Sequence, residues 1–219
     1  MKTRSIQGSR GRSDIHVGES LDRLKHYIPA GRRTIIITDT VVRDLYGERF
    51  PNADVISIGV GEKIKTLATL EHIFQRLIEM ETDRSVFIVG IGGGIVCDIA
   101  GFAASVFLRG VEFGYVSTTL LAQVDASVGG KTGVNFGGYK NMLGVFNQPR
   151  FVICDTALLE TLPTVEIACG FAEIVKHAII ADADMFRFLE QNSQKALALE
   201  KPVVQRLVYD SVDIKAGVV

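Results

Sequence analysis

The sequence predicts an α/β fold: a doubly wound, mostly parallel sheet followed by the start of an all-helical domain. Over the first 160 residues, short runs of β-branched and aliphatic residues alternate with segments of helical periodicity, which is the order of parallel βα units. A glycine-rich turn at residues 90–94 separates one such run from the next helical segment. From residue 164 onward the β-type pattern largely stops, and helical patterns continue to the last residue.

The predicted elements follow one another along the chain. Five runs have the length and apolar content of buried strands: residues 34–38, 54–58, 85–90, 111–117 and 151–155. Helical segments separate the first of them: one ending at Phe50, one over residues 66–80 and one after the glycines. Leu162-Pro163 then interrupts the chain, so we place a domain boundary near residue 160. Residues 161–219 are too few to enclose a core alone, and their pattern predicts an end inside a helix or just past it.

Composition and charge restrict the class of protein. The 219 residues are 47% hydrophobic with a formal net charge of −1, which predicts a folded, soluble chain without a global field for nucleic acid or membrane. The three cysteines form no CxxC pair and the polar start contains no signal segment, so a reducing cytoplasm is expected. The longest apolar run, residues 95–108, is too short for a membrane span. We therefore expect a small-molecule partner, bound by a local cluster of charges.

The glycine-rich turn predicts a dinucleotide phosphate site. It follows a buried strand and opens a helix, where backbone N–H groups can approach a pyrophosphate. The Rossmann-like fingerprint is imperfect, because Cys97 stands where the third glycine is expected and Glu112 lies at the start of a strand. Asp39 and Glu62 are better placed acids, at the edge where such sheets hold ligands. A tight turn without a ligand is the alternative.

Residues 117–135 follow another strand and contain hydroxyls, an acid, paired glycines and a lysine. The end of this segment is similar to a P-loop, but the residue five positions before Gly130 is Asp125, so that motif is excluded. We predict a polar loop that can hold a phosphorylated, hydroxylated substrate. Its candidate residues are Asp125, Lys131, Lys140 and Asn141, with Arg109 preceding the loop. An ordinary surface loop is the alternative.

Residues 170–177, GFAEIVKH, are predicted to be helical, with Glu173, Lys176 and His177 on one face. Glu173 and His177 have the i, i+4 spacing of two ligands to one cation. A usual zinc site requires at least three protein ligands, so this helix alone does not define one. The alternative is a solvated polar stripe.

Four stretches together resemble one enzyme family over nearly the whole chain. They read GGGxxxDxxGFxAxxxxRG, STTLLAQVDASVGGKTGVN, KNMLGVFNQP and TLPxxExxxGFAEIVKHAI. On these motifs the chain resembles the 3-dehydroquinate synthase family of the sugar-phosphate cyclase superfamily. The resemblance implies a carbon–oxygen lyase of the shikimate route, which supplies aromatic amino acid biosynthesis. The implied reaction converts 3-deoxy-D-arabino-heptulosonate 7-phosphate to 3-dehydroquinate and phosphate, with catalytic NAD and a divalent metal, zinc or cobalt.

The implied chemistry explains both cofactors. Hydride transfer to NAD⁺ turns an alcohol into a ketone, and the ketone makes the neighbouring C–H acidic enough for phosphate to be eliminated before the hydride returns. The metal polarises the reacting hydroxyl and stabilises the charge that develops. Residues 1–160 would then be the NAD-binding domain, and residues 161–219 the beginning of an incomplete metal and substrate domain.

The resemblance also implies roles for individual residues. The positions that match the NAD site are Asp39, Glu62, Lys65, Gly93, Gly94, Asp98, Thr118, Thr119, Lys140 and Thr161. The positions that match the substrate site are Arg109, Asp125, Lys131, Asn141 and Lys176. Glu173 matches the metal-binding glutamate. The arginine that Arg109 matches reaches across a dimer interface in relatives, which implies a homodimer.

Some features depart from the family pattern. His177 stands where relatives often have Tyr, so we expect it to be structural. The family's two histidine ligands belong beyond Val219, so we expect an amino-terminal portion that binds metal weakly and catalyses nothing measurable alone. Cys97 in place of glycine, and Val41 where some relatives carry Asn, would weaken NAD binding without excluding it. Three other histidines match no motif and are assigned no metal: His16, His26 and His72.

Three alternatives stay open at this stage. Cyclases that make inosose or valiolone products share the NAD and metal chemistry, although VDASVGGKTGVN favours dehydroquinate synthase. Glycerol or iron-type alcohol dehydrogenases share the glycine turn and a similar two-domain plan. A non-catalytic NAD-binding or dimerisation module is the third.

Overall fold

A computed structural model describes residues 1–8 and 11–218, and within them the chain forms nine strands and seven α-helices. The strands are β1 (Lys2–Gly8), β2 (Gly11–Val17), β3 (Thr34–Asp39), β4 (Asp54–Ile58), β5 (Phe87–Gly92), β6 (Glu112–Ser117), β7 (Lys131–Phe136), β8 (Tyr139–Phe146) and β9 (Phe151–Cys154). The helices are α1 (Thr40–Tyr46), α2 (Leu67–Glu79), α3 (Gly94–Val106), α4 (Thr164–Ala181), α5 (Ala183–Gln191), α6 (Ser193–Leu197) and α7 (Lys201–Ala216). Short 3₁₀ turns and a π-helical turn at Ala122–Ala126 connect several of them.

Seven strands form one sheet in the order β1-β2-β9-β6-β5-β3-β4, in which β1 runs antiparallel to the other six. The middle strands are buried on both faces, as the run Ile35-Ile36-Ile37 of β3 illustrates, because helices cover both sides of a parallel sheet. The chain order reverses at β3, since β4 lies on one side of it and β5 on the other. Such a reversal opens a crevice at the carboxyl ends of the strands, next to Asp39 and the glycine turn.

The predicted α/β fold is confirmed, and the five predicted strands are β3, β4, β5, β6 and β9. β5 begins at Phe87 and continues to Gly92, two residues further than predicted, which brings the glycines to the end of the sheet. The first two predicted helices are α1 and α2. The second is capped by Thr66, whose hydroxyl accepts a hydrogen bond from the Thr69 N–H.

The prediction misses two hairpins. β1 and β2 extend one edge of the sheet, in a segment whose polar residues alternate with few apolar ones. The predicted polar loop is wrong after residue 130, because β7 and β8 form an antiparallel hairpin that packs on α3. Its turn is Gly137-Gly138, where both residues have positive φ. Two glycines between β-type residues are the signal that would have predicted it.

Helices α4 to α7 follow the sheet as predicted, and they complete its core. Val204, Leu207 and Val208 of α7 are buried in the same hydrophobic cluster as Ile15 of β2 and Val152 of β9. The boundary of a separate domain near residue 160 stays a prediction. Within residues 1–8 and 11–218, none of the helices combines the length and apolar character that crossing a membrane requires.

Candidate active site

A cavity of about 510 Å³ lies in the crevice at the carboxyl ends of β3, β5 and β6. Nine of the ten residues predicted for NAD line it: Asp39, Glu62, Lys65, Gly93, Gly94, Asp98, Thr118, Thr119 and Thr161. Val41 lines it as well, with about half of its surface exposed. The tenth predicted residue, Lys140, is exposed on β8 and lies outside the described lining of this cavity. Residues far apart in the chain thus form one continuous surface.

The glycine turn lies between β5 and α3, where packing leaves little room for side chains. A Cβ atom at Gly93 would lie 2.9 Å from Thr119 Cγ2, and one at Gly94 would lie 2.9 Å from Ala126 Cβ. The turn backbone lines the crevice, so the first N–H groups of α3 are available to a pyrophosphate. Cys97, at the third-glycine position, is fully buried, and burial raises the pKa of its thiol. The Cys97 side chain therefore packs in the core.

Asp39 ends β3 and caps α1, where its carboxylate accepts a hydrogen bond from the Val42 N–H at 2.9 Å. Burial raises the pKa of this carboxyl, and the hydrogen bonds from the Val42 and Val41 N–H groups oppose the change. In dinucleotide sites, a carboxylate at the carboxyl end of a strand accepts hydrogen bonds from the ribose hydroxyls. Its predicted role at the NAD site stays a prediction.

Lys65 links the crevice to a second cavity. It is 5% exposed, and its ammonium contacts the Asp98 carboxylate and the side-chain oxygen of Asn141. Burial raises the pKa of Asp98, and the charge and hydrogen bond of Lys65 oppose this effect. Asp98 lines both cavities, so the ion pair lies at their junction.

The second cavity, of about 790 Å³, is lined by the hairpin β7–β8, by α4 and by the end of α7. Met142, Phe146 and Ile180 provide exposed apolar surface along its lining. Four of the five residues predicted for the substrate line it: Asp125, Lys131, Asn141 and Lys176. Ammonium, carboxylate and amide groups in one cavity suit a small, anionic and hydroxylated ligand.

Glu173 lies beside two residues that the sequence analysis assigned to other roles. Its Oε1 is 3.2 Å from His177 Nε2, and ligand atoms of Asp125, Glu173 and His177 all lie within 4.8 Å of one another. His177 is 4% exposed, and burial lowers its pKa while the Glu173 charge opposes this, so the imidazole is neutral near pH 7. Two oxygen donors and one nitrogen donor form a set that zinc and cobalt accept. The structural role expected for His177 stays a prediction.

Lys215 is a site residue that the sequence analysis missed. It lies in the last turn of α7, and its ammonium contacts the carboxylate and the backbone carbonyl of Asp125. Burial lowers the pKa of Lys215, and the hydrogen bond and charge of Asp125 oppose this effect. A lysine in the last turn of a helix is common on the surface. The packing of α7 against the π-helical turn is what brings this one into the cavity.

Arg109 lies away from both cavities. It follows α3 in the turn before β6, at the amino end of the sheet, whereas the cavities lie at the carboxyl end. Among the described residues it therefore does not join the other residues predicted for the substrate. Its expected place in the site of a second subunit stays a prediction.

Comparison with known proteins identifies the family. Residues 55–169 match the family described as 3-dehydroquinate synthase N-terminal, and residues 170–219 match 3-dehydroquinate synthase C-terminal. The chain belongs to the 3-dehydroquinate synthase family. A 3-dehydroquinate synthase from Nitrosomonas europaea is 42% identical, over 94% of this chain and 58% of that protein. Another, from Alkaliphilus metalliredigens, is 39% identical over 94% of this chain and 60% of that protein. The chain thus spans less than two thirds of the length of these curated relatives.

Solved cyclase structures share the fold of this 3-dehydroquinate synthase family member. A 2-deoxy-scyllo-inosose synthase complexed with carbaglucose-6-phosphate, NAD⁺ and Co²⁺ has a TM-score of 0.81 and 28% identity, over 98% of this chain and 62% of that one. A 2-epi-5-epi-valiolone synthase from Streptomyces hygroscopicus with NAD⁺ and Zn²⁺ bound has a TM-score of 0.82 and 26% identity, over 95% and 60%. A probable glycerol dehydrogenase from Sinorhizobium meliloti has a TM-score of 0.65 and 19% identity, over 92% of this chain and 63% of that one. At this identity the similarity shows the fold alone.

Proposed function

We propose that this chain carries the site of a 3-dehydroquinate synthase, an NAD- and metal-dependent carbon–oxygen lyase of the shikimate route that works in the cytoplasm as a homodimer. Its reaction converts 3-deoxy-D-arabino-heptulosonate 7-phosphate to 3-dehydroquinate and phosphate. The observation that carries the proposal is the junction of the two cavities at Asp98. A dinucleotide in the crevice would there lie against a sugar phosphate in the charged cavity.

The chain's own residues supply binding and orientation. The glycine turn and the N-terminus of α3 would hold the pyrophosphate, and the Asp39 carboxylate would accept hydrogen bonds from the ribose hydroxyls. Lys131 and Lys176 provide cations for the phosphate and carboxylate of the substrate, and the Asn141 amide suits its hydroxyls. NAD, when bound, would accept the hydride whose removal turns an alcohol into a ketone, and that ketone would make the neighbouring C–H acidic.

Asp125, Glu173 and His177 would hold a divalent metal within the described chain. Zinc or cobalt supplies polarisation of the reacting hydroxyl when bound. The Lys176 and Lys215 ammonium groups already contact two of these carboxylates, so the carboxylates are arranged to face positive charge. The resemblance places two further histidine ligands in the part of the relatives that this chain does not cover. We therefore propose that Asp125, Glu173 and His177 supply only part of the ligand set of the metal.

A cyclase with an inosose or valiolone product is the second candidate. The TM-scores of 0.81 and 0.82 against two such cyclases favour it. Their identities of 28% and 26% are lower than the 42% shared with the Nitrosomonas europaea dehydroquinate synthase, which favours the first proposal. The ligands differ in charge, because the heptulosonate carries a carboxylate that carbaglucose-6-phosphate, the ligand of the inosose synthase structure, lacks. A site with several cations would therefore prefer the heptulosonate.

Calorimetry with the purified chain tests the proposal. We expect it to bind NAD⁺, and we expect the NAD-loaded chain to bind 3-deoxy-D-arabino-heptulosonate 7-phosphate more tightly than glucose 6-phosphate. Lys131→Met should weaken that binding by about tenfold or more, because a charge-assisted hydrogen bond is lost. Lys195→Met, on exposed α6, is the matched control. Absence of NAD⁺ binding, or net accumulation of NADH with a simple alcohol, would overturn the proposal.

A further inference from the structure

Asn135 of β7 lies opposite a β-bulge in β8. The pairs Val134–Leu143 and Phe136–Tyr139 leave Asn135 alone opposite three residues of β8, 140–142, so the extra residues belong to β8. A bulge frees backbone groups from the ladder and redirects a side chain. Accordingly, the Asn135 N–H donates to the Lys65 carbonyl at 2.9 Å, on the turn between β4 and α2. This hydrogen bond fastens the hairpin to Lys65, in a wall of the dinucleotide crevice.

The Asn135 side chain bridges the two cavities. Its amide N–H donates to Glu62 Oε1 at 2.8 Å, and its oxygen accepts from the Asn141 backbone N–H at 2.8 Å. Glu62 lines the dinucleotide crevice, and Asn141 lines the charged cavity. One amide thus uses its donor toward one cavity and its acceptor toward the other. Aspartate lacks the donor and an apolar side chain lacks both groups.

Asn141 has a backbone conformation that needs support. Its φ is +52°, in the left-handed region that residues other than glycine adopt at a cost. The side-chain oxygen of Asn141 accepts from the Lys65 ammonium, which also contacts Asp98. The hydrogen bond from the Asn141 N–H to Asn135 holds the backbone in the conformation that makes this contact.

We propose that Asn135 is a positioning residue that holds Glu62 and Asn141 in one frame, so that the dinucleotide and substrate parts of the site keep a fixed separation. The identity of the ligands in this inference rests on the proposed function. The competing interpretation is that these hydrogen bonds only stabilise the hairpin, without effect on ligand binding.

The first test needs no ligand. Amide hydrogen exchange is measured at Asn141 in the wild-type chain and in Asn135→Ala and Asn135→Asp. Asn135→Ala removes the acceptor, so protection of the Asn141 N–H should fall by about tenfold. Asn135→Asp keeps an acceptor oxygen, so protection should be retained. Unchanged protection in Asn135→Ala would overturn the proposal.

The second test measures NAD⁺ affinity in a double-mutant cycle. Asn135→Asp places a second carboxylate against Glu62, so the Kd for NAD⁺ should rise by about tenfold. In the Glu62→Gln background the new amide can donate to the new carboxylate, so the same change should alter the Kd by less than about threefold. An equal loss in both backgrounds would overturn the proposal, because Asn135 would then act independently of Glu62.

A matched control separates positioning from general hairpin stability. Asn147→Asp makes the same change just after β8, where the Asn147 amide donates to Ser105 Oγ and lies outside the described lining of both cavities. It should leave the NAD⁺ Kd unchanged, and an equal loss there would overturn the proposal. If the wild-type chain fails to bind NAD⁺, the proposed function fails, while exchange at Asn141 still decides the role of Asn135.

Discussion

The Asp39 side chain caps α1 and lines the dinucleotide crevice, and burial raises the pKa of its carboxyl. A raised pKa means that the folded chain disfavours the ionised form relative to the unfolded chain. The contribution of Asp39 to folding is therefore favourable below about pH 4 and is lost as the pH rises through the raised pKa. At neutral pH the carboxylate lowers stability, which is common for groups kept for a ligand.

Asp39→Asn keeps the helix cap and removes the charge. We expect its free energy of unfolding to fall less than that of the wild type between about pH 4 and neutrality, because the raised pKa is gone. The NAD⁺ Kd should rise by about tenfold, because a charge-assisted hydrogen bond to a ribose hydroxyl is lost. Urea unfolding across the pH range and calorimetry check the two effects. Asp44→Asn, an exposed residue of α1, should change neither, and equal effects there would contradict the prediction.

The proposed metal site depends on Glu173, which lies between the other two clustered donors in sequence. Glu173→Gln should weaken Co²⁺ or Zn²⁺ binding by at least about tenfold, because one of the three clustered donors loses its charge. Calorimetry gives the affinity, and the visible absorption of Co²⁺ reports the coordination. Glu190→Gln, on the exposed face of α5, is the control. Unchanged Co²⁺ affinity and spectrum in Glu173→Gln would remove this glutamate from the proposed metal site.

Some residues of the candidate site can be predicted from local sequence pattern, whereas others depend on tertiary packing. Asp39 and the glycine turn stand at the ends of strands, so local pattern and the rule for parallel sheets locate them. Lys215 and Asn135 look like ordinary surface residues in the sequence. They become site residues because α7 and the bulged hairpin bring them against Asp125 and Glu62. Contacts of this kind depend on tertiary packing, which the spacing of residue types does not encode.

At the scale of elements, the hairpin β7–β8 connects the two cavities. It packs on α3, carries Lys131 and Asn141 to the charged cavity, and contacts the crevice through Asn135. The two strands approach closely where Gly133 pairs with Gly144. A Cβ atom at Gly144 would lie 2.0 Å from the Thr132 carbonyl oxygen. Glycine therefore sets the separation of the strands.

Gly144→Ala should force the strands of the hairpin apart. We expect a loss of about 1–3 kcal/mol in the free energy of unfolding and a weaker NAD⁺ affinity, because Asn135 would move relative to Glu62. Gly47→Ala is the matched control, since its φ is −57° and the nearest atom to a new Cβ lies 3.6 Å away. That control should be neutral or slightly stabilising. If Gly144→Ala kept the stability and the NAD⁺ affinity of the wild type, the hairpin would accommodate a Cβ atom at residue 144, and the prediction would be wrong.

How well a strand could be predicted from the sequence depended on how completely it is buried. Strands β3 and β5 lie inside a parallel sheet, so their middle residues are apolar and buried, and the two runs are evident in the sequence. The hairpin β7–β8 is only partly buried and contains four glycines, Gly133 and Gly144 in its strands and Gly137 and Gly138 in its turn, so its apolar alternation is weak. The hairpin also carries charged and amide side chains that line the second cavity. Because such side chains are typical of loops, the sequence of the hairpin resembles a loop. Residues needed in the cavity thus interrupt the apolar alternation by which a strand is recognised.

At the scale of the whole molecule, the sheet and the helices after residue 163 share one core. Leu207 and Val208 of α7 lie in the same buried cluster as Ile15 and Val152. Leu207→Ala should therefore cost about 2–5 kcal/mol of the free energy of unfolding of the whole described chain. Circular dichroism and the fluorescence of a probe on β3 should report the same transition. Two separate transitions would instead support independent domains on either side of residue 160.

The position of Arg109 bears on how two subunits would share a site. It was predicted to serve the substrate, yet it lies at the amino end of the sheet, and both cavities lie at the carboxyl end. In a symmetric dimer the same surface occurs on both subunits, so a residue distant from its own site can enter the other one. The homodimer implied by the resemblance would therefore give Arg109 a role that its own chain cannot.

Mixing two variants tests whether Arg109 acts in the partner's site. Arg109→Ala and Lys131→Met should each bind 3-deoxy-D-arabino-heptulosonate 7-phosphate weakly in the NAD-loaded state. After equal mixing and subunit exchange, half of the dimers pair different variants, and one of the two sites in each such dimer lacks both changes, so about a quarter of all sites should recover. Calorimetry counts the recovered sites, and sedimentation confirms the dimer. If Arg109 acted within its own chain, every site would carry one change and none would recover.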